Sequence, residues 1–587
     1  MMPFRHAIRI GLFFKSMIWN GTLRNLHAAQ CTNRGLIPVK AARHEKQQRS
    51  ERHRTCWTRE EVSIAAATPS SPPTGEAEIT AFLADRASYL SRPDRVDVIE
   101  THAARVFLAG DEAFKVKKHV RLPYLDFSTL ENRRAACTRE LEINRPGAPE
   151  IYLGLVQITR EADGRLAFDG TGPTVDVAVR MRRFDQTDLL SHAAKQGRID
   201  RVMAKAIADV VAVTHEAARI ATEGDGVERF AAIIADVATA CDASRNGTIR
   251  ADATLFAVNA RAHLARVRDL IADRARHGFR RRCHGDLHLG NIVLWHGQPM
   301  LFDALEFDEA LATIDVLYDL AFLLMDLDRR GLRGPANDVL NRYLWRTDPL
   351  NLSGLAALPL FLALRAGIRA MVDLHRIAGA ATPLPDIQRD ACEYLAAAVA
   401  HLAPARPCLV AVGGLSGSGK STLAAALAPA IGISPGAIHL RSDLERKRQF
   451  GVAETERLPE TAYTRDVTDR VYATLNEMAA TVVATGYSIV VDAVHATAAE
   501  RDAIERVART ADVPFVGIWL EAPDAALVQR VEGRRGDASD ATPAVVARQL
   551  DYDLGSISWH RIDAGGTLDE TRAGATSIIA AMLESTP

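Results

Sequence analysis

Two short runs rich in apolar and β-branched residues flank a tight turn early in the chain. They are Arg105-Val106-Phe107-Leu108-Ala109 and Ala113-Phe114-Lys115-Val116-Lys117, separated by Gly110-Asp111-Glu112. Strand-favouring residues around a Gly-Asp turn predict a β-hairpin. Residues 151–158 and 175–181 carry the same content and predict two further strands, while 127–144 has a helical period. A helix-like segment starts near Glu76 and runs to about Leu90, and from 188 to 277 the helical period dominates. Strands first and helices afterwards predict an α+β unit with a small sheet lobe and a larger helical lobe. The pattern changes past residues 401–407, a Pro-containing connection. Apolar runs at 408–412, 437–440, 488–492 and 513–520 then alternate with helical stretches, which predicts an α/β unit on a parallel sheet. Pro514 places the start of the fourth of these strands after itself.

Composition narrows the class. At 587 residues the chain exceeds one core, and 48% hydrophobic with 25% charged residues is ordinary for a globular protein. A formal net charge of -1 argues against a general polyanion binder. Seven scattered cysteines without a Cys-x-x-Cys pair fit reduced thiols and a cytoplasmic location, not a zinc site. No uninterrupted apolar run reaches the roughly 18 residues of a membrane span, so no membrane partner is expected. The first 75 residues differ from the rest, with no acidic residue before Glu45 and many arginines. They read as a disordered basic extension, with a targeting segment as the rival account, and end in a Pro- and Ser-rich linker at 67–75. The expected organisation is therefore 1–75 extension, 76–400 first domain, 401–407 linker and 408–587 second domain.

Two stretches carry chemistry. The first is Gly414-Leu415-Ser416-Gly417-Ser418-Gly419-Lys420-Ser421-Thr422, between a buried-strand pattern and a helix-forming segment. Strand, glycine-rich loop and helix form a phosphate cradle, because Gly414, Gly417 and Gly419 let successive backbone N–H groups turn toward one anion. Ser418 and Thr422 belong to the same nucleotide-binding loop. Lys420 is placed to reach the β- and γ-phosphates of ATP, and the Ser421 hydroxyl to ligate Mg2+. Asp492, at the C-terminal end of a predicted strand, is a candidate outer-shell carboxylate for that metal. The second stretch is Cys283-His284-Gly285-Asp286-Leu287-His288-Leu289-Gly290-Asn291, followed by an apolar run, a turn at 297–299 and a strand ending in Asp303. Phosphoryl transfer needs a carboxylate to orient an attacking hydroxyl, plus an amide and a second carboxylate for magnesium. Asp286 suits the first role, and Asn291 and Asp303 the second. His284 reads as a support for the loop, and His288 as a locally satisfied histidine.

With Asp315-Val316-Leu317-Tyr318-Asp319 after it, this second stretch resembles the catalytic loop and metal segment of the aminoglycoside phosphotransferase family, within the protein-kinase-like fold. The resemblance covers roughly residues 80–400 and implies a nucleotide cleft between the two lobes. It also implies a strand lysine that contacts phosphates and pairs with a helix glutamate, for which Lys115 and Glu140 are chosen. Lys117 is the rival, since it shares a strand face with Lys115. Asp303-Ala304-Leu305 departs from the Asp-Phe-Gly of protein kinases, so the switching behaviour of kinases has no support here.

Residues 405–587 resemble the small P-loop kinases of the gluconate, shikimate and polynucleotide kinase kind. That resemblance implies that Asp443 contacts the acceptor hydroxyl, that Arg446 contacts the acceptor itself, and that Arg530 and Arg534 clamp the transferred phosphoryl group. The combined expectation is a tandem ATP-dependent phosphotransferase with ATP and Mg2+ as cofactors, acting on small-molecule hydroxyl acceptors through two nucleotide sites. The rivals are a nucleotide-responsive regulatory protein with one degenerate module, and a nucleic-acid 5′-hydroxyl kinase in the C-terminal half. Near-neutral charge disfavours nucleic acid as a partner.

Overall fold

The alternation around Gly110 builds the middle of a six-stranded antiparallel sheet. The computed structural model describes residues 74–584 apart from 102, 123, 124, 381 and 405. The extension expected at 1–75 thus lies almost wholly outside the described residues. The sheet comprises β1 (Val96–Glu100), β2 (Ala104–Ala109), β3 (Glu112–Lys117), β4 (Tyr152–Arg160), β5 (Leu166–Phe168) and β6 (Thr174–Arg182), in the order β1-β2-β3-β6-β4-β5. β2 and β3 are the expected hairpin, with Val106 opposite Lys115 and Phe107 opposite Phe114. The period of two sorts its residues onto two faces. Phe107, Phe114 and Val116 pack with Ile79 and Leu83 of helix α1 (Thr74–Ala84), which ends earlier than its sequence pattern. Val106 and Ala113 pack instead with Cys137 of helix α2 (Leu130–Asn144). Lys115 and Lys117 share that second face.

A helical lobe follows: α3 (Arg201–Ala217), α4 (Val227–Asp242), α5 (Gly247–Arg276), α6 (Val316–Arg329), α7 (Arg333–Arg346), α8 (Leu358–Ala378) and α9 (Pro385–His401). The stretch Asn351–Ala378, which contains α8, is long and apolar enough to cross a membrane, yet 89% of its apolar window is buried. Its interior position accounts for its apolar content, and even its Arg365 and Asp373 are buried. Between α5 and α6 stands a small hairpin, β7 (Ile292–Trp295) and β8 (Gln298–Leu301). Its turn is His296-Gly297, both with positive φ, and not 297–299 as the sequence suggested. Two consecutive left-handed residues match the twist of paired strands, so Gln298 and Pro299 already lie in β8.

Five parallel strands form the C-terminal sheet: β9 (Leu409–Gly414), β10 (Ile438–Arg441), β11 (Ile489–Asp492), β12 (Phe515–Glu521) and β13 (His560–Asp563). Their order is β10-β11-β9-β12-β13, with β9 in the middle. β12 begins just after Pro514, as expected, whereas β13 has too little apolar content to be read from sequence. The helices are α10 (Lys420–Leu427), α11 (Ser442–Gln449), α12 (Arg465–Ala484), α13 (Ala498–Thr510), α14 (Asp524–Glu532), α15 (Pro543–Leu550) and α16 (Leu568–Glu584).

The two halves share one apolar cluster, which extends from Leu190 through α3–α9 to Leu409, Ile438, Leu475 and Trp559. Helix α7 covers the outer edge of β10. Asn341 donates to the Ala437 carbonyl and accepts from the His439 N–H at 2.7 Å, and Asn337 donates to Ala437 as well. These amides satisfy backbone groups that an uncovered edge strand would leave unpaired.

Burial also makes this fold acid-sensitive. Desolvation lowers His401 to about 4 and His495 to about 3, from 6.5 when unfolded. The unfolded chain therefore takes up protons first, so the stability is whole above about pH 6.5 and lost as pH falls below it. At pH 5 each neutral histidine withdraws about 2 kcal/mol. Tm measured at pH 7.5 and 5.0 is expected to drop at the lower pH, and His401→Gln is expected to shrink that drop; an unchanged pH dependence would contradict the assignment.

Candidate active sites

In the N-terminal half the centre is a buried charge network. Lys115 Nζ lies 2.6 Å from Glu140 Oε1 and 2.9 Å from Asp303 Oδ1. Lys117 Nζ lies 2.6 Å from Glu140 Oε2 and 2.7 Å from Glu306 Oε1. The alternatives Lys115 and Lys117 thus share one carboxylate, and Lys115 is the one that reaches Asp303. Burial alone would depress both ammonium groups, but Asp303, Glu140 and Glu306 outweigh it at Lys115, and Glu140 and Glu306 at Lys117, raising both above the ordinary lysine value. Glu306 had no sequence signal beyond its place three residues after Asp303.

The loop expected to carry the acceptor base is stitched to the Asp303 segment. His284 Nε2 meets the Phe302 carbonyl at 3.0 Å, Leu305 N donates to His284 O, and Phe302 N donates to Asn291 O. Asn291 Nδ2 donates to the Asp286 carbonyl and, at 3.0 Å, to its carboxylate. His288 accepts from Gly290 N through Nδ1, but its buried Nε2 has no hydrogen-bond partner among the described residues and lies 3.7 Å from Asp286 Oδ2, so the expected local satisfaction holds at one ring nitrogen only. Asp303 holds φ +58, a left-handed conformation that a non-glycine residue adopts only under constraint. The Tyr152 hydroxyl accepts from its N–H, and Asn144 accepts from Ala304 N at 2.7 Å. Asp319 was missed as a structural anchor: its carboxylate accepts from the His284 and Gly285 N–H groups and faces His215 Nε2 at 3.2 Å. Beside Lys115 and Asp303 opens a small cleft walled by Val106, Leu108, Met181, Phe184 and Phe302.

In the C-terminal half the glycine-rich loop follows β9 and opens α10. Gly414 has φ +135 and Gly417 φ +87, and a Cβ on either would fall 2.6 Å or less from the Leu520 or Leu527 carbonyl oxygen. Only glycine fits both positions. Ser416 N donates to Gln549 at 2.7 Å, and the buried Ser418 hydroxyl has no hydrogen-bond partner among the described residues. Lys420 Nζ folds onto the Leu415 carbonyl at 2.9 Å, while Ser421 and Thr422 occupy the first turn of α10. Burial lowers the Lys420 ammonium, opposed by the nearby charges of Asp492 and Asp443 and reinforced by Arg534 and Arg441. Four residues predicted from separate segments, Lys420, Asp443, Asp492 and Arg534, therefore share one electrostatic neighbourhood. Burial alone would raise Asp492, yet His439, Arg441 and Lys420 bring its carboxyl down to about 2, so it is ionised at neutral pH.

Two sequence expectations differ from the observed contacts. Arg530, expected to clamp phosphate, donates to the Ala564 carbonyl at 2.7 Å and to Gly417 at 3.4 Å, bracing the loop from behind. Arg446, expected to meet the acceptor, donates to Ala462 O at 2.6 Å and to Thr468, with its guanidinium over the Tyr463 ring. A guanidinium with several backbone carbonyls in reach satisfies its donors there, which residue type alone does not reveal.

Residues 409–552 match the family model described as an AAA domain. The Mycobacterium tuberculosis protein Rv2004c is 31% identical to this chain over 490 residues, covering 80% of this chain and 93% of its own. The chain belongs to the family of that mycobacterial protein. The Mycobacterium bovis protein Mb2027c matches with the same identity and coverage. Among solved structures, a choline/ethanolamine kinase family protein from Mesorhizobium loti is 14% identical, covering 55% of this chain and 99% of its own, at a TM-score of 0.34. A sugar kinase from Janibacter sp. HTCC2649 is 18% identical, covering 30% of this chain and 95% of its own, at a TM-score of 0.24. The fold is an antiparallel sheet lobe with a helical lobe, followed by a parallel-sheet unit that contains the residues matching the AAA domain model.

Glu140 is buried between two lysines, and its loss would leave both with one carboxylate fewer in a water-poor setting. Glu140→Ala is expected to cost about 3–5 kcal/mol in chemical denaturation, and the isosteric Glu140→Gln less. Equal stability of wild type and Glu140→Ala would show that the network does not hold the lobes together.

Proposed function

We propose that the chain is a tandem ATP-dependent phosphotransferase whose two halves each transfer a phosphoryl group to a small-molecule hydroxyl. The observation that carries this reading is the convergence of Lys115, Glu140 and Asp303, with Lys115 and Asp303 brought together across 188 positions. A structural ion pair would not need the neighbouring Asp286–Asn291 pair or the adjoining cleft. The donor sets fit a magnesium nucleotide. Asp303 and Asn291 offer hard oxygens in the first half, and Ser421 and Asp492 do so in the second. The cradle around Gly414 and Gly417 admits no side chain, and Ser418 presents an unused hydroxyl. When bound, magnesium would neutralise charge on the β- and γ-phosphates.

In the first half Lys115 would contact the phosphates, held in place by Glu140. Asp286 would orient the acceptor hydroxyl: the hydroxyl oxygen forms a bond to the γ-phosphorus, the bond to the bridging oxygen breaks, ADP departs, and the acceptor proton passes to the Asp286 carboxylate. Asn291 would fix the direction of that carboxylate through its amide. In the second half Lys420 would leave the Leu415 carbonyl for the phosphates, Asp443 would orient the acceptor, and Arg534 would approach the transferred group. Coordinating roles for Asp303 and Asp492 belong to the same reading.

A second reading, in which one half senses nucleotide for the other, draws on the junction. Trp345 of α7 donates to the Leu444 carbonyl at 3.1 Å, immediately beside Asp443. Arg342 joins Asp209 of α3 to Glu454 of the C-terminal half, each at 2.7 Å.

Asp286→Asn is expected to lower turnover by about 10²-fold or more while magnesium-dependent ATP binding persists, because only hydroxyl orientation is lost. Asp303→Ala is expected to weaken that binding itself. A screen of phosphorylated products with labelled ATP and a metabolite pool checks both, and wild-type turnover in both variants would leave the first half a binding module.

Lys420→Ala is expected to abolish transfer by the C-terminal half and leave the N-terminal half active. Loss of both activities, in a protein melting at the wild-type temperature, would replace the tandem reading with that of one coupled machine.

A further inference from the structure

His495 follows β11 by three residues and has no part in the chemistry described so far. Its side chain is buried, with the residue 1% exposed, and neither ring nitrogen has a hydrogen-bond partner among the described residues. A buried imidazole with both nitrogens unused is a rare arrangement, because desolvation is uncompensated at two atoms. The backbone is constrained to hold it there. His495 has φ +51, its N–H donates to the Tyr472 hydroxyl at 3.0 Å, and its carbonyl accepts from Arg501 at 2.9 Å. Strain of this kind persists only where the surroundings enforce it.

The ring is walled on two sides. Tyr472 and Trp559 both meet it edge-on, with centroids 5.6 and 5.1 Å away. The Trp559 N–H is directed elsewhere, to Glu505 at 2.7 Å, so it does not serve the imidazole. The charges that act on His495 are Asp492, Lys420 and Arg501, the first two being the carboxylate and the lysine of the phosphate site. Val494, next to it, accepts from the N–H of Gly414 at the start of the glycine-rich loop. Tyr472, on its other side, lies within electrostatic range of Asp443 and Arg446 on the acceptor segment. His495 thus sits one residue from the backbone that meets Gly414, with the Tyr472 ring against it.

We propose that His495 is a ligand-contacting residue of the C-terminal site, donating a ring N–H to an oxygen of the terminal phosphoryl group of the bound nucleoside triphosphate. The inference rests on reading the glycine-rich loop as a triphosphate cradle. Burial keeps the ring neutral at physiological pH, so it offers one N–H and one lone pair. A neutral donor adds direction without adding charge to a site that already holds Lys420, Arg441 and Arg534. ADP lacks the oxygen in question, so His495 would distinguish the triphosphate from the diphosphate.

The full-length protein labelled at histidine Cε1 tests this, with the His495 resonance assigned by its loss in His495→Gln. Titration with magnesium AMPPNP is expected to shift that resonance, and magnesium ADP is expected to leave it in place. Calorimetry on the same samples counts the nucleotides bound, and Lys420→Ala is expected to lose one of them together with the shift. His495→Gln is expected to weaken AMPPNP at that site by about tenfold and ADP by less than twofold. Loss of one bound nucleotide in Lys420→Ala, with an unmoved His495 resonance in the wild type, would overturn the inference and leave the cradle reading standing. An equal shift with ADP would overturn contact with the terminal group. Unchanged stoichiometry in Lys420→Ala would overturn the cradle reading and the inference together. The wild-type resonance decides these cases even if the substituted protein folds poorly.

Discussion

A fully buried carboxylate shared by two lysines governs the N-terminal half. Glu140 has no exposed surface, so its charge is tolerable only while Lys115 and Lys117 are both delivered to it by β3. The lysines are in turn held by Asp303 and Glu306 from the segment after β8. Sheet lobe, α2 and the candidate metal segment are therefore locked into one arrangement by electrostatics that allow no independent drift. Such a network is a weak source of stability, because desolvation offsets much of the attraction. What it supplies is position: Asp303 arrives beside Lys115 with its backbone in a left-handed turn that nothing local would favour.

The C-terminal half solves the same problem differently. Its cradle is built from backbone, and steric exclusion at Gly414 and Gly417 replaces ion pairing as the constraint. Charged groups stand around the cradle: Asp492 with His439 and Arg441 behind it, Lys420 in front. Both halves place a strained non-glycine residue after the strand that carries their candidate chemistry, Asp303 in one and His495 in the other. In each case the rest of the fold over-determines a conformation that the residue would avoid in a free chain.

The junction brings these two solutions into contact. Helix α7 supplies edge contacts to β10, and β10 leads directly to the α11 segment bearing Asp443. A small cavity of about 70 Å³ at this junction is lined from both halves, by Arg201, Arg342 and Trp345 on one side and His439, Arg441 and Leu444 on the other. His439 and Arg441 also lie 3.6 and 3.7 Å from Asp492, so displacement at the junction has a short physical path to the strand that carries it.

Local signals announced a good part of this. Strand periodicity around Gly110, the strand–loop–helix context of Lys420 and the spacing of His284, Asp286, Asn291 and Asp303 are features of neighbouring residues, and neighbours are what a chain specifies by itself. Even the start of β12 after Pro514 is legible, because proline's missing N–H acts within its own residue. Sequence could not decide what depends on which distant atoms lie within 3 Å. That is why sequence leaves Lys115 and Lys117 as alternatives while the fold sets both on Glu140, and why the carbonyl partners of Arg530 and Arg446 have no signal in the chain. Glu306 and His495 carry no local pattern, and the Asp319 segment does not announce that its carboxylate accepts from the His284 and Gly285 N–H groups. Their positions follow from packing, where burial removes water and makes every unpaired or charged atom answer to groups far along the chain.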